Sequence, residues 1–119
     1  MKIFITRNIP QSGIDLLKAK GYEVNVSSHD RVLSKDELIG FLTQDQYDAV
    51  VCLLTDKIDS DVFDAAGKQC KIFANYAVGF DNIDIPSAAE KRIMVTNTPG
   101  VLTNTVAEHA FALILAASH

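Results

Sequence analysis

The residues best placed to do chemistry stand together in Asn75-Tyr76-Ala77-Val78-Gly79-Phe80-Asp81-Asn82-Ile83-Asp84. The apolar run Ile72-Phe73-Ala74 leads into them, and Pro86 with a helical pattern follows. A strand, then a turn with a flexible residue, then a helix start is the place where open α/β sheets hold ligands. Gly79 lets the backbone come close to a ligand and can take φ > 0. Successive exposed N–H groups in such a turn make an anion-binding concavity. The chemistry expected is capture of a carboxylate or phosphate by main-chain amides near Val78 and Gly79. The plain alternative is an ordinary strand-to-helix loop that uses Gly for its bend.

Other reactive residue types are scattered. No Gly-x-Gly-x-x-Gly fingerprint or Walker loop occurs, so the chain carries no nucleotide-phosphate loop of its own. His29, His109 and His119 are dispersed, and His109, lacking a paired acid, reads as a helix-packing or interface residue rather than a base. Thr55 and Thr103 could act as nucleophiles only beside a base, and none is apparent. Asp81 and Asp84 read as turn and cap residues rather than an acid/base pair. Cys52 and Cys70 lie in apolar runs and read as buried thiols; a disulfide framework or a metal site needs more ligands.

Composition bounds the class. With 119 residues, 48% hydrophobic and 22% charged, the chain fits one folded domain with one core. A net charge of −4 without a basic block argues against nucleic acid or an anionic membrane as partner. The apolar runs at Met1 to Ile5 and Ala110 to Ala117 are too short for a secretory signal or a bilayer span, so cytoplasm is the default location.

The elements that must position the loop alternate. Strands are expected at Lys2 to Ile5, Tyr22 to Val26, Tyr47 to Leu54, Lys71 to Ala74 and Ile93 to Val95. The unbroken apolar run Ala49 to Leu54 marks a central strand buried on both faces. Pro10 suits the first turn of a first helix, whose apolar face is Ile14, Leu16 and Leu17 and which Gly21 ends. Ser34 to Glu37 is a capping box before a helix with Leu38, Phe41 and Leu42 on its buried stripe. Asp59 caps a short helix that Gly67 stops, and Asp84 caps another with Pro86 in its first turn. Thr105 to Glu108 forms a second capping box, opening a final helix. This order predicts an α/β fold: a flavodoxin-like, doubly wound, five-stranded parallel sheet of order 2-1-3-4-5 with right-handed crossovers. The loops after Ile5, at Leu53-Leu54-Thr55 and at Val78-Gly79 should then meet in one crevice. A phospho-receiver would need acids where Thr6-Arg7 and Leu54-Thr55 stand, and a flavin-phosphate loop would need more than Thr6-Arg7-Asn8-Ile9-Pro10.

The final helix is apolar most of the way round, from Val106 to Ala117. A helix lying on one sheet face needs only a stripe. This one expects contacts from another chain, or from further sequence of a longer protein, and the piece is expected to self-associate.

Two motifs together resemble the D-isomer-specific 2-hydroxyacid dehydrogenases, most closely their glyoxylate/hydroxypyruvate reductase branch. One is Ala77-Val78-Gly79-Phe80-Asp81-Asn82-Ile83-Asp84, the other Thr96-Asn97-Thr98-Pro99-Gly100-Val101-Leu102-Thr103-Asn104-Thr105-Val106-Ala107-Glu108. Leu53 to Asp59 and Asp64 to Gly67 fit as well, so the resemblance covers essentially the whole chain. It implies that residues 1–100 are a substrate-binding (so-called catalytic) domain and 101–119 the start of a helix crossing to a Rossmann-type NAD(P) domain not carried here. It implies that Val78 and Gly79 hold the substrate carboxylate, that Leu54 lines the pocket, and that Thr103 and Val106 lie near the nicotinamide. The family's catalytic Arg, Glu and His come later than this chain, and His109 does not match the catalytic position, so no catalytic residue is expected here. The implied cofactor of the complete protein is NAD or NADP, with none bound to this chain; the implied partner is a small 2-oxo or 2-hydroxy acid. Self-association is expected as a homodimer or domain-swapped oligomer through the helix 104–117. The rival expectation is a non-catalytic flavodoxin-like module that self-associates through that helix.

Overall fold

The computed structural model describes residues 1–118; His119, one of the dispersed histidines, lies outside the described residues. The strands are β1 (Lys2–Ile5), β2 (Glu23–Val26), β3 (Ala49–Leu53), β4 (Ile72–Tyr76) and β5 (Met94–Thr96). The helices are α1 (Gln11–Ala19), α2 (Lys35–Gln44), α3 (Ser60–Ala66), α4 (Ile85–Glu90) and α5 (Thr103–Ala117). The sheet runs β2-β1-β3-β4-β5 and every pairing is parallel, as expected.

Alternation along the strands sends side chains to two cores. Phe4, Val50, Cys52 and Phe73 pack with Leu38, Leu42, Val62 and Phe63 of α2 and α3 on one face. Phe63 meets Phe73 edge to face at 5.0 Å, and Phe4 lies 5.3 Å from Phe41, geometries that add about 0.5–1.5 kcal/mol beyond burial. Ile3, Ile5 and Ala49 meet Ile14 of α1 on the other face. That second face is covered less: Val51 and Leu53 are only half-buried, so β3 is not sealed on both sides as its apolar run implied. α5 does not cover this face: it has no buried residue, and the molecule extends over 55 × 33 × 24 Å.

Local chemistry explains most boundaries. Ser34 caps α2 by accepting from the Glu37 N–H at 3.2 Å, but Glu37 pairs with Arg31 instead of reaching back. Asp59 accepts from the N–H groups of Asp61 and Val62, and Asp84 from that of Ser87. Pro10 is the residue before α1 rather than inside its first turn. Leu16 is exposed, because two residues from Ile14 on a helix is nearly the opposite side. The second capping box does not form: α5 begins at Thr103 after Leu102, which places Thr105 within the first turn, past the capping position.

Candidate functional site

The turn after β4 is built from the inside out. Three successive carbonyls are tied back to the protein. That of Ala77 accepts from the Thr98 N–H at 2.8 Å, that of Val78 from the Asn97 side-chain amide at 2.8 Å, and that of Gly79 from the Asn75 amide at 3.0 Å. The N–H groups of Val78, Gly79 and Phe80 donate to no protein acceptor among the described residues. The loop therefore directs its acceptors inward and keeps its donors free.

These donors border an open cavity of about 980 Å³. Leu54, Val78, Gly79, Thr103 and Val106, all five expected site residues, line it. From α5 the lining residues are Thr103, Val106, Ala107 and Ala110, one helical face. His109 falls off that face and does not line the cavity. Tyr76 and Phe80 add aromatic wall, and Asp81 is the one charged residue of the lining among the described residues. Among those same residues, no lysine, arginine or histidine stands there to neutralise a bound anion.

Two expectations about this turn need correction. Gly79 is not in the left-handed region; the glycines with positive φ are Gly21, Gly67 and Gly100. Gly100 follows Pro99 at the expected sharp turn, where a positive φ favours glycine. A Cβ added at Gly79 would meet nothing within 4 Å, so glycine there keeps space open rather than relieving backbone strain. The second correction concerns the loop after β1, which does not line the cavity. Its Thr6 is instead fully buried behind the cavity and donates its hydroxyl to the Asp56 carboxylate.

Thr6 belongs to a polar layer that motif reading passed over. Asp56 is 4% exposed and also accepts from the Leu53 N–H at 2.8 Å. Asn75, 3% exposed, and Asn82 bond each other through their amides at 2.9 and 3.2 Å. The available signal was an asparagine in an otherwise apolar strand, a residue type that strands disfavour.

The cysteines are free and buried, as expected. Burial pushes the Cys52 thiol up to about 12 and that of Cys70 up to about 11, which keeps both protonated and unreactive near neutrality. Among the described residues no cluster of His, Cys, Asp and Glu could hold a metal ion, and no helix is long and apolar enough to cross a membrane.

A parallel sheet in this order, with a cavity at the carboxyl ends of β3 and β4, defines a flavodoxin-like α/β domain with its ligand crevice in the usual place. Residues 3–116 match the model of the D-isomer specific 2-hydroxyacid dehydrogenase catalytic domain, and the chain belongs to that family. It is 47% identical over 115 residues to a glyoxylate reductase of Pyrococcus furiosus, covering 97% of this chain and 33% of that protein. A glyoxylate reductase of Thermofilum pendens is 48% identical with the same coverage. Among solved structures, the TT0316 protein from Thermus thermophilus superimposes with a TM-score of 0.87 at 38% identity, over 98% of this chain and 36% of that one. An NAD+-bound 3-phosphoglycerate dehydrogenase of Entamoeba histolytica gives 0.78 at 28% identity, over 96% and 38%. The chain thus spans about a third of the length of the curated relatives it matches, 33% in the case of the Pyrococcus furiosus protein.

Proposed function

We propose that this chain is the substrate-holding segment of an enzyme that transfers a hydride between NAD(P)H and a small 2-oxo acid of the glyoxylate or hydroxypyruvate kind, giving a D-2-hydroxy acid. The observation that carries the reading is the turn at Ala77–Gly79, whose carbonyls are tied back while the Val78 and Gly79 N–H groups stay free beside the cavity. Those two amides hold the carboxylate, and Leu54 forms the apolar wall beside it. With the carboxylate fixed, the carbonyl carbon is held toward the α5 side, where Thr103 and Val106 would border a bound nicotinamide. Such placement is worth roughly 7–11 kcal/mol of barrier in favourable cases.

The residues present fit one end of the cofactor only. Thr103, Val106, Ala107 and Ala110 make a small-residue face against which a flat ring can lie. A dinucleotide's phosphates find no glycine fingerprint in this chain. When bound, NAD(P)H supplies the hydride, chemistry that belongs to the cofactor. The carbonyl oxygen still needs a proton and the carboxylate a counter-charge. Among the described residues the lining holds no cation, and its one acid, Asp81, serves the turn; both roles are assigned to a segment outside residues 1–119, as is the Rossmann-type domain. Residues 1–100 then form the substrate domain and 101–119 the start of the crossing helix. A cytoplasmic home suits the two buried free thiols.

The assay is NADH- and NADPH-dependent reduction of glyoxylate and hydroxypyruvate. A protein joining this chain to a coenzyme domain turns over and yields the D-acid. The 119-residue chain alone shows no turnover and no tight NAD(P)H binding; measurable turnover by it overturns the division of labour. A second reading, a self-associating module without catalysis, draws on the exposed apolar helix α5. Sequencing the gene past residue 119 separates the two: a downstream glycine fingerprint favours the enzyme, a stop codon the module.

A further inference from the structure

The two walls that flank the candidate carboxylate site come from different turns, Leu54 from the one after β3 and Val78–Gly79 from the one after β4. Two side-chain amides join them underneath. Asn82 donates from Nδ2 to the Leu53 carbonyl at 3.0 Å and to the Asp56 carbonyl at 2.9 Å, the two ends of the turn that carries Leu54. Its Oδ1 accepts from Asn75 Nδ2 at 2.9 Å, and the other hydrogen of that amide goes to the Gly79 carbonyl at 3.0 Å. We propose that Asn82, acting with Asn75, is a positioning clamp that sets the separation of these walls and fixes the Gly79–Phe80 peptide at the end of the donor turn, so that the Phe80 N–H stays beside those of Val78 and Gly79. This deepens the carboxylate reading and rests on it.

The orientation of the amides follows from the network. Turned over, Asn82 would face its oxygen to two carbonyls, an arrangement with three acceptors and no donor. As placed, two neutral amides satisfy the carbonyls of Leu53, Asp56 and Gly79 without burying a charge between the turns. A peptide unit cannot rotate its N–H without moving the neighbouring carbonyl, since both are fixed in one plane. Anchoring the Gly79 carbonyl therefore fixes the amide of Phe80, and anchoring those of Ala77 and Val78 fixes the amides of Val78 and Gly79. Behind the clamp, Asp56 accepts from Thr6 and from the Leu53 N–H, so the β3 side of the clamp is itself braced against β1.

The test uses the chain, uniformly ¹⁵N-labelled and joined to a coenzyme domain that supplies the counter-charge, as wild type, Asn82→Asp, Asn75→Ala and, as a control on the opposite sheet face, Ile14→Ala. Asn82→Asp keeps the shape but sets a carboxylate against two carbonyls; Asn75→Ala cuts the tether to Gly79, the link to Asn82 and a thiol bond from Cys52. Two readouts are taken: backbone order parameters at Val78, Gly79 and Phe80, and their amide shifts on titration with sodium oxamate, a 2-oxo acid mimic. Both clamp variants are expected to lower the order parameter of Phe80, whose amide the clamp fixes, from about 0.85 to below about 0.6, and to weaken oxamate binding at least tenfold. Ile14→Ala changes neither, although it lowers stability. Unchanged order and affinity in the clamp variants would overturn the clamp. A wild-type chain whose Val78 and Gly79 amides ignore oxamate would instead remove the carboxylate reading, and the positioning role with it, whatever the order parameters do. If neither clamp variant keeps a dispersed spectrum, the pair serves the fold rather than the loop, and the proposal falls.

Discussion

A single missing carbon at Gly79 separates two explanations of the same residue. Were the backbone strained there, any substitution would cost stability; φ at Gly79 is ordinary, and an added Cβ meets no protein atom within 4 Å. The side chain would occupy the cavity instead. Gly79→Val in an enzyme containing this chain should therefore leave the melting temperature nearly unchanged. It should raise KM for the 2-oxo acid about tenfold or more, a loss of about 1.4 kcal/mol. Steady-state kinetics beside a thermal melt checks this, and unchanged kinetics would mean that the acid binds elsewhere. Asn75, Asn82, Thr6 and Asp56 make the complementary case. Each alone looks like a turn or strand-end residue, and only their mutual distances reveal a continuous layer under the cavity.

Among the elements, α3 gives the clearest link between charge and stability. Its cap Asp59 also pairs with Lys35 of α2, and the Lys35 hydrogen bond, joined by bonds from the amides it caps, holds the Asp59 carboxyl below its ordinary value of 3.8. The same contact, shared with Asp61, raises the Lys35 ammonium. A carboxyl whose folded value is lowered adds stability above its unfolded value, here 3.8, and loses it as pH falls through the lower folded value. Asp59→Ala should cost about 1 kcal/mol at pH 7, the usual worth of a lost N-cap. Asp59→Asn keeps the cap and gives up an exposed pair worth about 0–1 kcal/mol. It should flatten the fall in stability below pH 3.8. Urea unfolding at neutral pH and at acid pH distinguishes the two variants.

For the molecule as a whole, the decisive feature is a helix, α5, none of whose described residues is buried. Phe111, Leu113, Ile114 and Leu115 are all more than half exposed on α5. Burying one such side chain is worth about 1.5–3 kcal/mol, so an all-round apolar helix gains from any apolar partner it meets. At micromolar concentration the chain is expected to self-associate, and the double substitution Phe111→Glu, Ile114→Glu to return it to a monomer. Size-exclusion chromatography with light scattering reads both; a wild-type monomer would remove the self-association reading and leave α5 to other sequence of a longer protein.

The sequence by itself marked the alternating strands and helices, and with them the fold class, and the helix caps at Ser34, Asp59 and Asp84, while its family resemblance named five residues that fall among those lining the cavity. These depend on local period, short-range hydrogen bonds and one dense motif, all of which act within a few positions of the chain. Three matters belonged to the tertiary structure: Gly79 serving for space rather than for a left-handed bend, Thr6 lying behind the cavity instead of in it, and two asparagines tying one turn to another. Residues 53, 56, 75 and 82 come within bonding distance only after parallel pairing sets β3 against β4 in register, Leu53 beside Tyr76. A hydrogen bond between positions so far apart leaves no periodic trace in the chain, because its partners are chosen by where the sheet delivers them.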